Sequence, residues 1–303
     1  MDGHFLLLGG GGFIGQSLAR RLVELGQPVM VVARNAPLQT LPGVVWRRGD
    51  LSDTNFVKEA LIGCRAVVHL ATTSTPGTYS REPLREGAEN ILPLLRLMQA
   101  LDSSPELPLV YLSSGGAIYG NPQALPVTEE QALAPLSYHA AGKAAAEHFL
   151  GVFARQGHRV AILRPSNVYG PGQPHKASFG VIRSVLEHLR RGTTMEIWGD
   201  GETVRDYLYI DDLVEACLKT LDYPASVTFN VGSGVGHSLN ELCHLAESVT
   251  GRQLELYHRP ARGGDVKAVV LDIGRIRRET GWVPQVNLEE GLRRTWAKLL
   301  EES

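Results

Sequence analysis

The chain is short of cysteine, has no sustained apolar run and carries almost no excess of either charge. Its three cysteines, Cys64, Cys217 and Cys243, lack metal-ligand spacing. An odd number set among apolar neighbours points to buried thiols in a reducing, cytoplasmic compartment. No uninterrupted hydrophobic stretch is long enough to span a bilayer, and the N-terminus runs straight into an apolar strand, which leaves no room for a signal peptide. With 30 Lys and Arg against 32 Asp and Glu the formal charge is -2, so neither nucleic acid nor an anionic membrane is expected as a partner. Internal repeats and low-complexity linkers are absent. What remains is 303 residues, 43% hydrophobic and 20% charged, the composition of a globular chain with one large core and a smaller lobe attached.

Glycine is concentrated where the chain first turns. The apolar run Phe5-Leu6-Leu7-Leu8 enters Gly9-Gly10-Gly11-Gly12-Phe13-Ile14-Gly15, and Ile14, Leu18, Leu22 and Leu25 then fall on one side of a helix. This reads as strand, tight turn, helix. Gly9 suits a turn conformation that a Cβ disfavours, Gly12 lets a pyrophosphate approach the backbone, and Gly15 lets the helix pack closely on the sheet. The phosphates would sit at the helix N-terminus. No Gly-Lys-Ser/Thr follows the cluster, which argues against a nucleoside triphosphate loop and for a dinucleotide site.

Further apolar runs predict strands at 28–33, 44–47, 66–71, 107–112 and 160–163, with helices between them, including one over 89–101 despite Pro93 and one beginning near Ser137. Such alternation predicts an α/β fold, a doubly wound and mostly parallel sheet. Residues 1–170 form the expected dinucleotide-binding domain, joined by returning segments near 205–235, and 171–303 supply most of a smaller C-terminal lobe. No carboxylate stands at the end of the second strand to bind an adenosine ribose; Arg34 stands there and can pair with a 2′-phosphate, which tilts the choice between NAD and NADP toward NADP. Asp50 suits either the adenine amino group or a local cap. His69, inside an apolar strand, reads as a core residue, and the small loop Thr72-Thr73-Ser74-Thr75 lets a cofactor pass near the backbone. A metal site has no candidate ligands.

Taken together and in order, these stretches resemble the extended short-chain dehydrogenase/reductase family, in its nucleotide-sugar epimerase, dehydratase and 4-keto reductase branch. The markers are Gly9-x-x-Gly12-Phe13-Ile14-Gly15, Gly49-Asp50-Leu51, His69-Leu70-Ala71, Asn90, Ser113-Ser114 before Tyr119-Gly120, Arg164 to Pro171, Arg205-Asp206-Tyr207, Asn230 to Gly234 and Arg262-x-x-Asp265-Val266. The resemblance implies a Rossmann-type sheet with a C-terminal substrate-binding lobe and an NAD or NADP site at Gly9, Gly12, Phe13, Ile14, Gly15, Arg34, Asp50, Leu51, Leu70, Ala71 and Lys143. It also implies a nucleoside diphosphate sugar held by Asn167, Arg205 and Arg262, and a homodimer formed by packing helices. The implied activity is epimerisation, with hydride removed and returned at a sugar hydroxyl carbon, C4 foremost. A 4-keto reductase and a nucleotide-sugar-binding protein of weak activity are the alternatives.

Two residues that the family uses are missing here. A tyrosine is expected four residues before Lys143, and His139 stands there. Tyr138 is five before it, about 140° around a regular helix. The Ser/Thr expected beside the reacting oxygen falls on Gly115, with Ser114 its neighbour. Tyr138 swung in by an irregular first turn, with Ser114 as its partner, and His139 as the base itself are therefore competing expectations.

Overall fold

Short apolar strands and amphipathic helices alternate, as the periodicity requires. A computed structural model describes residues 3–35, 41–75, 82–175, 180–261 and 266–302. In chain order the elements are β1 His4–Leu8, α1 Phe13–Glu24, β2 Val29–Ala33, β3 Val44–Arg48, α2 Thr54–Ala60, β4 Cys64–His69, α3 Pro83–Glu86, a π-helical turn Gly87–Ile91 and α4 Leu92–Leu101. Then follow β5 Leu109–Leu112, α5 Gly115–Ile118, α6 Tyr138–Arg155, β6 Val160–Pro165, β7 Asn167–Tyr169, α7 Val181–Arg191 and β8 Met195–Trp198. The rest comprises β9 Val204–Tyr209, α8 Ile210–Leu221, β10 Val227–Val231, β11 Gly236–Ser238, α9 Leu239–Thr250, β12 Leu256–Arg259, β13 Ala268–Val269, α10 Gly274–Thr280 and α11 Leu288–Glu301.

Contacts group these elements into two units that interleave along the chain. The first takes the described parts of Met1–Ser114, Ser137–Arg164 and Val214–Phe229. Its sheet has the order β10-β6-β5-β4-β1-β2-β3. The pairs β1–β2, β2–β3, β1–β4, β4–β5 and β5–β6 are all parallel. Strands β5 and β6 are buried along their whole length, as expected when helices cover both faces of a parallel sheet. Leu6, Leu8, Val67, Leu94, Leu97, Leu101 and Leu150 share the core. Because β1 lies between β2 and β4, the strand order reverses beside it, and ligands bind at the carboxyl ends of strands at such a point.

Pro93 shapes this unit. A proline has no N–H and its ring crowds the carbonyl four residues back, so a regular helix cannot run through it undisturbed. Here the turn just before it widens: the N–H of Leu92 bonds the carbonyl of Gly87, five residues back. Asn90 sits in the widened turn, and single π turns of this kind recur at functional sites. The predicted helix over 89–101 is thus a π turn followed by α4.

The second unit takes the described parts of Gly115–Leu136, Pro165–Leu213 and Asn230–Ser303. Strand β9 pairs with β7 and β13 in parallel and with β11 antiparallel. Its centre is Asp206, fully buried. One carboxylate oxygen accepts from the Ser233 N–H at 2.8 Å and its hydroxyl at 2.7 Å, the other from the N–H groups of Gly234 at 3.2 Å and Leu271 at 3.3 Å. One side chain therefore ties three separated stretches together. The sequence also predicts a helix from Phe179 to Arg191; α7 begins at Val181 and ends at Arg191, and Phe179 itself lies outside the described residues.

Asp206→Ala would orphan the N–H groups of Ser233, Gly234 and Leu271. An unpaired N–H costs roughly 1–3 kcal/mol where it is buried, as at Leu271, and less at Ser233 and Gly234, which water can reach. The variant is expected to lose about 2 kcal/mol or more and to melt below the parent in thermal unfolding followed by circular dichroism; an unchanged melting curve would contradict the tie.

Candidate active site

The first turn has the geometry for a dinucleotide phosphate. Gly9 has φ +79°, and a Cβ there would lie 2.5 Å from the Cα of Ala71, just past the end of β4. A Cβ on Gly15 would overlap the backbone of Gly10, so this glycine brings α1 down onto the turn. Gly12 is different. A Cβ built on it meets nothing closer than the Gly9 carbonyl at 3.7 Å, which leaves open space at the helix start. Gly12 is also the N-cap of α1, with no side chain capping it and no acidic residue in the first turn. Uncapped N–H groups with room before them fit a pyrophosphate. Phe13 and Ile14 open the helix, half-buried.

The remaining cofactor candidates surround the same strand ends. Leu70 and Ala71 follow β4, and the Leu70 N–H bonds the Leu8 carbonyl at 2.8 Å. Arg34, exposed, follows β2, and its carbonyl accepts from Arg48 Nε at 3.1 Å. Asp50 is exposed and accepts from the Ser52 N–H at 2.8 Å, which holds its pKa below the usual carboxylate value. That bond closes a turn; the cap of α2 is Asp53, whose carboxylate accepts from the Asn55 and Phe56 N–H groups. Leu51 packs against the core.

Helix α6 begins where its sequence dictates, with the Ser137 hydroxyl capping the Ala140 N–H at 3.2 Å. Its first turn is regular. Tyr138 is accordingly left 42% exposed, whereas His139 and Lys143, one turn apart on one face, are buried. Lys143 Nζ donates to the carbonyl of Leu112, the last residue of β5, at 2.6 Å, and lies 4.7 Å from the Tyr111 ring centre. Burial lowers its pKa to about 8, against the pull of Glu86 and Glu147 in the other direction. Gly142 makes room for the first of these carboxylates: any Cβ there would overlap the Glu86 side chain. The alanines at 140, 144 and 146 are buried within the chain as well.

His139 Nδ1 lies 2.9 Å from Ser74 Oγ. Burial first, and the Lys143 charge second, push its pKa down to about 4. It is a neutral imidazole at physiological pH. His69 is a different case: its ring is buried against Tyr111, both nitrogens lack partners among the described residues, and burial brings its pKa to about 3. It is the core histidine that its strand position suggested.

The serine pair divides. Ser113 is buried and donates to Glu147, which also receives Arg164 through Nη2 at 2.6 Å and Nε at 3.1 Å. Ser114 is half-buried at the end of β5. In the second unit, Asn167 on β7 donates from Nδ2 to the Asp206 carbonyl at 3.0 Å. A Cβ on Gly116 would come within 3.4 Å of that same amide. Arg205 on β9 bonds the carbonyls of Val204 at 2.8 Å and Val266 at 2.6 Å, so part of its guanidinium braces its own strand and the next. Arg262 and Asp265 lie outside the described residues.

Three side chains gain a place that sequence reasoning did not give them: Ser74, Asn90 and Glu86. Asn90 Oδ1 accepts from the Thr73 N–H at 2.9 Å, and its Nδ2 donates to Ser74 Oγ at 3.2 Å. A proline three residues after Asn90 was the available signal. Nothing in the sequence singles out Glu86; its burial does.

Comparison with known proteins identifies the family. The profile of the NAD-dependent epimerase/dehydratase family matches residues 5–232. The UDP-glucose 4-epimerase of Mycolicibacterium smegmatis is 32% identical over 305 residues, 96% of each chain. The crystal structure of the Thermotoga maritima UDP-glucose 4-epimerase with UDP-glucose superposes with a TM-score of 0.94 at 32% identity, covering 99% of both chains. That of the Thermus thermophilus UDP-glucose 4-epimerase with NAD gives 0.91 at 31% identity, covering 99% of this chain and 100% of the other. The chain belongs to the NAD-dependent epimerase/dehydratase family.

Proposed function

We propose that the protein is an NAD-dependent epimerase of a nucleoside diphosphate sugar, inverting a hydroxyl-bearing carbon, C4. One observation carries the reading. The glycine turn after β1, Ala71 after β4 and the buried His139–Lys143 face against the end of β5 gather at the carboxyl ends of neighbouring strands, in a chain similar end to end to epimerases solved with UDP-glucose and with NAD. NAD, when bound, takes a hydride from the sugar carbon and gives it back to the other face. The turn around Gly12 holds its pyrophosphate; Asn167, Arg205 and Arg262 bind the sugar nucleotide. No carboxylate stands beside Arg34 at the end of β2, which supports acceptance of NADP as well.

The hydroxyl proton needs an acceptor as the C–H electron pair leaves as hydride. A histidine with a pKa near 4 is a poor one. Lys143, whose pKa burial brings down to about 8, can take the proton and return it when the keto sugar is reduced. His139 hydrogen-bonds the oxygen that alternates between hydroxyl and ketone. Tyr138 and Ser114 are outside this assignment because the regular helix start leaves Tyr138 at the surface. Leu92 on α4 and Phe149 and Val152 on α6 are exposed apolar side chains that a homodimer would cover.

The test incubates purified protein with NAD or NADPH and a panel of UDP-, dTDP- and GDP-sugars and their 4-keto forms, following product and cofactor absorbance together. Interconverted sugars with unchanged cofactor are expected. Net NADPH consumption would instead make the protein a reductase, and binding without turnover a binding protein. His139→Phe should lower kcat about 100-fold, the scale for losing one donor to a developing charge. Tyr138→Phe should leave it within about twofold.

The pH dependence has a definite sign. Neutral Lys143 is the acceptor, so kcat/KM should rise with pH and level off above about 8. An inflection near 4, where burial places His139, or anywhere up to the ordinary imidazole value of about 6.5 would move the acceptor to histidine.

Arg34→Asp should weaken NADP binding about tenfold or more relative to NAD in calorimetric titration, the loss of one charge-assisted bond. Equal loss for both cofactors would refute the phosphate contact.

A further inference from the structure

We infer that Asn90 and Ser74 hold His139 in the tautomer with its proton on Nε2, making it a hydrogen-bond donor to the reacting oxygen and barring it from accepting the proton. The inference rests on the proposed role of His139 at that oxygen; the tautomer itself does not.

The chain of bonds has one consistent direction, and it starts from a group that can only donate. The Thr73 backbone N–H points at one terminal atom of the Asn90 amide, 2.9 Å away, and the Thr73 hydroxyl lies 3.2 Å from the same atom. That atom must be the carbonyl oxygen. The other is then the NH2 group, and it meets Ser74 Oγ at 3.2 Å as a donor. Ser74 is 1% exposed, and among the described residues its hydroxyl has two partners, Asn90 and His139. The hydroxyl carries one proton. It cannot give that proton to the Asn90 NH2, so it gives it to His139 Nδ1, 2.9 Å away.

The opposite arrangement, with Nδ1–H donating to Ser74, would leave the serine proton buried without an acceptor. A doubly protonated ring would do the same and is further opposed by burial and by the Lys143 charge. One proton remains on a neutral imidazole, and it resides on Nε2. The π turn matters here because Asn90 belongs to it: the widening ahead of Pro93 carries the amide whose oxygen Thr73 fixes. Asn90 and Ser74 are positioning residues. Ser74 touches the histidine, and Asn90 acts on it through Ser74.

Two-bond 15N–1H correlation spectra of protein labelled at histidine ring nitrogens read the tautomer directly. His139→Gln identifies the signals by their loss. At neutral pH and without substrate, His139 is expected to show a protonated Nε2 and a bare, hydrogen-bonded Nδ1. Ser74→Ala should move both nitrogens toward averaged values and lower kcat about tenfold with KM unchanged, and Ser74→Thr should restore both. A wild-type spectrum with the proton on Nδ1 or on both nitrogens would overturn the inference. So would a Ser74→Ala spectrum identical to wild type. Should Ser74→Ala not fold, the wild-type spectrum and Asn90→Asp, which replaces the amide donor by an acceptor and should redirect the serine proton, decide it. The expected spectrum in a protein that turns over no sugar nucleotide would support the tautomer and sink the epimerase reading.

Discussion

A buried ammonium is the constraint on which the candidate site depends. Removing Lys143 from water costs several kcal/mol unless its charge is met by partners held in place. The Leu112 carbonyl, the Tyr111 ring, Glu86 and Glu147 meet it. Each partner is fixed in turn: Glu147 by Arg164 and Ser113, Glu86 by the space that Gly142 leaves, and Leu112 by its place in the central sheet. The compensation is partial. Burial outweighs the two carboxylates, and the amine settles near 8, close enough to neutrality to exchange protons.

That balance explains why Lys143 and Glu147 of α6, Glu86 of α3 and Arg164 of β6 come together without forming ordinary surface pairs. Glu147 holds Arg164 and so cannot fully neutralise Lys143, while Glu86 keeps one oxygen without a partner among the described residues. Arginine suits the Glu147 side because its planar fork takes the carboxylate through two nitrogens at once. A second lysine there would compete for the same oxygens with less geometric control.

The residues that read correctly from sequence are those whose role is local. Gly9 and Gly15 announce a tight turn because their backbone leaves no room for a Cβ, and Ser137 announces a helix because its hydroxyl caps a group three residues away. The parallel sheet follows from apolar runs spaced by helices. Ser74, Asn90 and Glu86 were harder because their partners are distant in the chain: Ser74 and His139 are separated by 65 residues, and no periodicity links a polar loop to a helix so far along. Asp206 was visible only as part of a motif. Its four bonds to two remote segments could not be counted before the strands were in place.

Replacing a phenol by an imidazole one turn before this lysine is not an exchange of like for like. A nearby positive charge lowers the pKa of either group. For a tyrosine, which starts near 10, that shift moves toward the working pH and creates a useful base. For a histidine, which starts near 6.5, the same shift moves away from it. Burial then diverges as well, raising a phenol's pKa and lowering an imidazole's. The environment that would prepare a tyrosine to accept a proton therefore leaves His139 neutral and weakly basic, and a neutral imidazole with one nitrogen occupied by Ser74 has a single remaining use. It can donate a hydrogen bond from the other. In the proposed reaction the proton that a tyrosine would have taken goes elsewhere, and among the described residues of this face the Lys143 amine is the group whose pKa suits it.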